Sequence, residues 1–174
     1  MTAGGKSPRP EITVEPMTGA HWPDVCSIFL EGIATGNATF ETLAPTWDQW
    51  DRTHLQAARL VARRGNAIAG WVALSRVSQR TCYAGVVEMS VYVATWARGQ
   101  GVGDALMKAA IKASEAAGIW TVQGTVFPEN QASLKMCLRN GFREVGRRER
   151  IGKRAGVWRD TIVVERRSHL VGVD

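Results

Sequence analysis

The order strand, glycine loop, helix start is written into one short stretch of this chain, Glu88-Met89-Ser90-Val91-Tyr92-Val93 followed by Arg98-Gly99-Gln100-Gly101-Val102-Gly103. Three glycines at 99, 101 and 103 let the backbone turn tightly and bring several unpaired N–H groups to one anionic ligand at the start of a helix. Phosphate oxygens are the expected guest. Two well-known phosphate loops do not match: no Gly-Lys-Ser/Thr closes the loop as in a P-loop, and the glycines alternate instead of following Gly-x-Gly-x-x-Gly.

The elements around the loop follow from periodicity and punctuation. Ile12 to Glu15 alternates as a strand. Trp22, Val25, Ile28, Phe29 and Ile33 fall at helical spacing between Ala20 and Ala34, with Gly32 and Gly36 expected to mark the end of that helix. A second helix is predicted over Trp47 to Ala58. Apolar runs at 58–62 and 67–75 around Arg63-Arg64-Gly65-Asn66 predict a hairpin. Leu106, Ala109, Ala110, Ala113 and Ala117 form an apolar stripe that Gly118 caps. A buried strand over 120–126 and a helix over 130–139 follow. Two closing strands, about 142–150 and 157–165, are joined by a turn at 152–156.

Composition narrows the class. At 174 residues, with 45% hydrophobic and 22% charged content, the chain suits one globular domain with its own core. Residues 1 to 10 read as a disordered tail, 11 to 168 as the domain and 169 to 174 as a C-terminal tail. The N-terminus lacks the apolar core of a signal peptide and the apolar runs are short, so a cytoplasmic protein without a membrane span is expected. Cys26, Cys82 and Cys137 are widely spaced, which suggests neither a zinc site nor disulfides, and no metal is implied. The net charge of +6 is spread along the chain apart from clusters at 147–150 and 166–167. Nucleic-acid binding is therefore not the favoured reading.

The pattern Arg98-x-x-Gly101-x-Gly103 after a Val-Tyr-Val strand resembles the acetyl-CoA pyrophosphate loop of the GCN5-related N-acetyltransferases (GNAT). A second block, Asn130-Gln131-Ala132-Ser133 leading to Asn140-Gly141-Phe142, resembles that family's Asn-x-x-Ser/Ala … Gly-Phe segment. Three further features are similar to the phosphinothricin and methionine-sulfoximine acetyltransferase branch: Glu88-x-Ser90-Val91-Tyr92-Val93, Thr39-Phe40 with Pro45 and Trp47, and Gly156-Val157-Trp158-Arg159-Asp160.

The resemblance spans about residues 12 to 166. It implies the GNAT fold: a mixed α/β (α+β) domain whose mostly antiparallel sheet, flanked by helices, has splayed central strands. It also implies acetyl-CoA as cosubstrate, whose negative charge suits a mildly basic protein. The cofactor would be held by Arg98, Gly99, Gln100, Gly101, Val102, Gly103 and Asp104 at the pyrophosphate, by the main chain of Val91, Tyr92 and Val93 at the pantetheine, and by Asn130 and Ser133.

Acetyl transfer to an amine requires the neutral nitrogen, because an ammonium has no lone pair with which to attack. A base is needed. Glu88, Ser90 and Tyr92 share one strand face by the period of two, and Met89, Val91 and Val93 the other. The branch resemblance assigns the base to Glu88; the competing reading of that residue is a carboxylate paired with an Arg at the sheet surface. The same resemblance implies that Phe40 and Tyr83 lie against the acceptor, the competing reading being core or loop anchors, and Arg80 or Arg76 in the loop before the strand is the expected cation for an acceptor carboxylate. Where many family members carry a Tyr as general acid this chain has Cys137, which reads more readily as a small buried hydrophobe.

The expected activity is acetylation of a small amino-acid-like primary amine by direct attack. The alternatives are a protein N-terminal or lysine acetyltransferase, which would need an open groove, and a non-catalytic CoA-binding regulator. The loop at 36–46 is expected to decide between enclosed pocket and groove, and the resemblance implies a homodimer.

Overall fold

The computed structural model describes residues 11 to 173. The expected N-terminal tail and the final residue lie outside the described residues. In chain order the elements are β1 (Ile12–Pro16), α1 (Trp22–Ala34), α2 (Trp47–Thr53), β2 (Leu60–Arg64), β3 (Ala67–Arg76), β4 (Val86–Val93), α3 (Val102–Ala116), β5 (Thr121–Val126), α4 (Gln131–Arg139), β6 (Arg143–Arg154) and β7 (Val157–Arg167). The strands form one sheet in the order β1-β2-β3-β4-β5-β7-β6. Every neighbouring pair is antiparallel except β4 with β5, which is parallel. A mixed α/β architecture with a mostly antiparallel sheet is therefore what the chain adopts.

Helices cover both faces of the sheet, and β3 shows how. Its residues are buried from Ile68 to Leu74, as expected for a strand covered on two sides. At Gly70 a side chain would meet Leu106 and Val102 of α3. The next residue, Trp71, sets its ring against Phe29 of α1 at 6.1 Å. Because successive strand residues point to opposite faces, α3 and α1 lie on opposite sides. The core follows this division, with Leu106 and Met107 of α3 and Val25, Ile28 and Phe29 of α1 all buried.

Three sequence expectations need correction. Gly32 does not end α1 but lies within it, where an added Cβ would come within 2.6 Å of the Tyr92 ring; close approach to β4, not helix termination, explains the glycine. Gly36, at φ +72, does follow the helix end. The second helix stops at Thr53 and not at Ala58, because His54 is extended and Leu55 N–H bonds to Leu74 O at 2.7 Å instead of continuing the helix. Buried Arg59 then fixes the irregular segment by donating to the carbonyls of Leu55 and His54 and pairing with Asp51. The last turn is only Ala155-Gly156, since Gly152, Lys153 and Arg154 still pair with Arg159, Trp158 and Val157.

Candidate functional site

The parallel pairing of β4 with β5 covers three positions, Val86↔Thr121, Val87↔Val122 and Glu88↔Gln123. Beyond Glu88, β4 runs on to Val93 held only on its β3 side, while β5 runs on to Val126 held by β7. The two strands part, and the main-chain edge of β4 from Met89 to Val93 is left without a strand partner. A cavity of about 330 Å³ occupies the split. Its walls include Glu88 and Gln123 at the fork, Ser133 and Cys137 from α4, Phe40 from the loop after α1, and Thr161 from β7.

Glu88 meets this cavity with an unengaged carboxylate: among the described residues it forms no hydrogen bond or ion pair. The alternative of a structural pair with a surface Arg is not realised. Gln123, its register partner on β5, lines the same cavity and was missed by sequence reasoning. The signal was the lone amide side chain in the strand Thr121 to Val126. Tyr92 is largely enclosed, stacked at 4.8 Å on Trp71 and edge-on to Phe29 at 5.0 Å. Burial pushes its phenol up to about 12, against a hydrogen bond with Thr39 that acts the other way.

The glycine loop turns as its composition requires. Gly99 and Gly101 adopt φ of +68 and +86, the left-handed region that disfavours side chains. The first bond into α3 runs from Ala105 N–H to Gly101 O at 3.0 Å, so the preceding amides of the helix start point out of its end. Gln100 donates to Trp96 O at 2.6 Å and Arg98 to Val93 O at 3.3 Å, which braces the loop. Val102 is part of the core, and Gly103 lets Met136 of α4 come close to α3. Asp104 is engaged by Arg139 at 3.0 Å and by Asn140 at 2.8 Å. Burial opposes its ionisation, but these bonds outweigh it and hold the carboxyl below its usual range.

Asn130 caps α4: its Oδ1 accepts from Ser133 N–H at 3.2 Å, while its Nδ2 donates to Asn37 O at 3.2 Å. The second bond ties α4 to the loop after α1. Arg159 of β7 reinforces it by donating to Gly36 O at 3.0 Å and Asn37 Oδ1 at 2.8 Å while lying 4.3 Å over the Phe127 ring. Phe40 closes the other side, edge-on to Phe127 at 4.8 Å, and fits because Gly152 has no side chain where its ring lies. Residues 37 to 41 thus form a fastened roof over the cavity.

Arg80 and Tyr83 are not brought into this cavity. They are exposed on the loop before β4, the Arg80 guanidinium 5.6 Å above the Tyr83 ring. Arg76, at the end of β3, does not line it either.

Cys137 is buried in the cavity wall, and burial pushes its thiol up to about 11. It therefore stays protonated at neutral pH, and the thiolate is the reactive form. At pH 8 iodoacetamide is expected to modify exposed Cys82 in the native protein and to reach Cys137 only after unfolding. Peptide mass mapping reads both, and rapid native labelling of Cys137 would contradict this.

Residues 22–142 match the model of the acetyltransferase (GNAT) family. The chain is 30% identical over 156 residues to a phosphinothricin N-acetyltransferase of Alcaligenes faecalis, covering 83% of this chain and 76% of that protein. Over 78 residues, 45% of each chain, it is 35% identical to an L-methionine sulfoximine/L-methionine sulfone acetyltransferase of Pseudomonas aeruginosa. A GNAT superfamily phosphinothricin acetyltransferase from Sinorhizobium meliloti, solved in complex with AcCoA, superposes with a TM-score of 0.84 at 23% identity, covering 94% of this chain and 91% of that one.

Proposed function

Since the chain belongs to the acetyltransferase (GNAT) family and is an acetyl-CoA-dependent N-acetyltransferase, we propose that its acceptor is the primary amine of a small amino-acid-like molecule of the phosphinothricin, methionine sulfone or methionine sulfoximine type. The observation that carries this reading is the roof at 37–41, fastened by Arg159 and Asn130 over a cavity of about 330 Å³. That volume lies at the small end of ligand pockets. A peptide substrate would need the roof removed. The relatives named for small amino-acid analogues point the same way.

The site fits acetyl-CoA on its own features. The amides at the start of α3, presented by the turn at Gly99 and Gly101, would hold the pyrophosphate, and the unpaired edge of β4 at Val91 to Val93 would take the pantetheine amides as an added strand would. Bound there, acetyl-CoA supplies an activated acetyl thioester. Glu88, free of any protein partner, takes the proton that the acceptor ammonium must lose. Ser133 and Asn130 shape the α4 side of the cavity, and the protonated Cys137 thiol packs its wall. A cytoplasmic homodimer is the proposed assembly, for which exposed Val157 and Trp158 on the β6–β7 hairpin offer an apolar surface.

The test is thiol release from acetyl-CoA with a panel of amines. Methionine sulfone, methionine sulfoximine and phosphinothricin are expected to give higher kcat/KM than peptides with free N-termini or lysines. The reverse order would sink the acceptor assignment and favour a protein substrate.

A further inference from the structure

Among the described residues, one buried side-chain polar atom in the cavity wall has no partner. Thr161 of β7 is 2% exposed, its Oγ1 has no hydrogen-bond partner, and the residue lines the cavity under the roof. Among the described residues three other buried side-chain atoms lack partners, on Trp71, Asn140 and Arg154, but none of those residues lines this cavity. A buried hydroxyl left unpaired costs free energy, so its retention asks what pairs with it in the working enzyme.

The fold says which part of a ligand that is. Thr161 shares a strand face with Arg159 by the period of two, and Arg159 grips the roof at Gly36 and Asn37. Ile162, on the opposite face, belongs to the main core. Thr161 therefore looks toward the acceptor side. Along the sheet, Glu88 is level with Gln123 and Gln123 with Glu165, so Thr161 lies four residues further down β7, about 13 Å along the strand direction. The base and the hydroxyl sit at opposite ends of the acceptor space.

We propose that Thr161 is a specificity-determining residue, whose Oγ1–H donates a hydrogen bond to an oxygen on the side-chain head of the acceptor while Glu88 serves its amine. The proposal rests on the small-acceptor reading above and narrows it: acceptors carrying an oxygen on sulfur or phosphorus are selected over the same chain without one. A site built to pair with such an oxygen discriminates against the analogue that lacks it, because its own donor is then left unpaired.

The test compares wild type, Thr161→Val and Thr161→Ser with methionine sulfone and methionine, which share a carbon chain and differ in the oxygens. Wild type is expected to favour the sulfone. Thr161→Val, which keeps shape and strand preference, should lower kcat/KM for the sulfone about 10-fold, mainly through KM, and leave methionine and the KM for acetyl-CoA unchanged. Thr161→Ser should recover most of the loss. Free Thr161→Val should melt at the wild-type temperature or about 2–4 °C above it, since an unpaired hydroxyl has been removed.

If wild type prefers the sulfone and Thr161→Val keeps that preference undiminished, this assignment falls and the acceptor reading stands. Equal wild-type rates on sulfone and methionine overturn it too. A Thr161→Val protein that melts lower and loses rate on both acceptors marks a structural role. Activity on peptides alone removes both readings.

Discussion

Glu88→Gln is expected to lower kcat with amine acceptors by about 10²–10³-fold near neutral pH, with the Kd for acetyl-CoA unchanged. The substitution keeps the shape and removes only the capacity to take a proton. Its effect should be clean, because the Glu88 carboxylate holds no other residue in place and its loss breaks no hydrogen bond or ion pair. The fold should be indifferent, with the same melting temperature. The deficit should shrink as pH rises through the acceptor amine's own pKa, where solvent has already delivered the neutral nucleophile. A rate loss that is constant across pH, or wild-type turnover at pH 7, would remove Glu88 from the role of base.

Gly101→Val is expected to weaken acetyl-CoA binding by about 100-fold, which is about 2.7 kcal/mol. Crowding inside the protein is not the cause, since an added Cβ would meet only Ile12 Cδ1 at 3.9 Å. The φ of +86 is. A β-branched residue there carries a backbone cost of order 1–3 kcal/mol, relieved only by turning the loop away from the left-handed region. The amides at the start of α3 then lose their common aim. Titration calorimetry with CoA checks it directly. An unchanged Kd would mean that these amides do not hold the cofactor.

How far the sequence carried this far depended on whether a feature was local. The loop at 98–103 and the cap at Asn130 were legible because glycine conformation and Asx capping are decided within a few residues. The strand face of Glu88 was legible from the period of two. The split between β4 and β5 entered only through the family resemblance and not through the residue pattern, because it consists of pairing that stops after Glu88↔Gln123, and a strand reads the same whether or not a neighbour accompanies it. Arg159 was noticed only as part of Gly156 to Asp160, although its bonds to Gly36 and Asn37, more than 120 residues away in the chain, fasten the roof. Thr161, in Thr-Ile-Val-Val, looks like ordinary strand composition until its hydroxyl is found unpaired. The resemblance puts Tyr83 near the acceptor and the loop position puts Arg80 there, yet both are exposed outside the cavity with the Arg80 guanidinium over the Tyr83 ring.

The bare edge of β4 has a consequence for how this enzyme can vary. Its N–H and C=O groups from Met89 to Val93 belong to the polypeptide and not to any side chain, so exchanging Val91 for another aliphatic residue would leave the edge proposed to take the pantetheine intact. Only proline, which carries no N–H, removes a rung. If the pantetheine docks there as proposed, this part of its recognition is drawn in the covalent repeat itself, and side-chain exchange along β4 would leave it in place while the pockets on either side drift toward new acceptors.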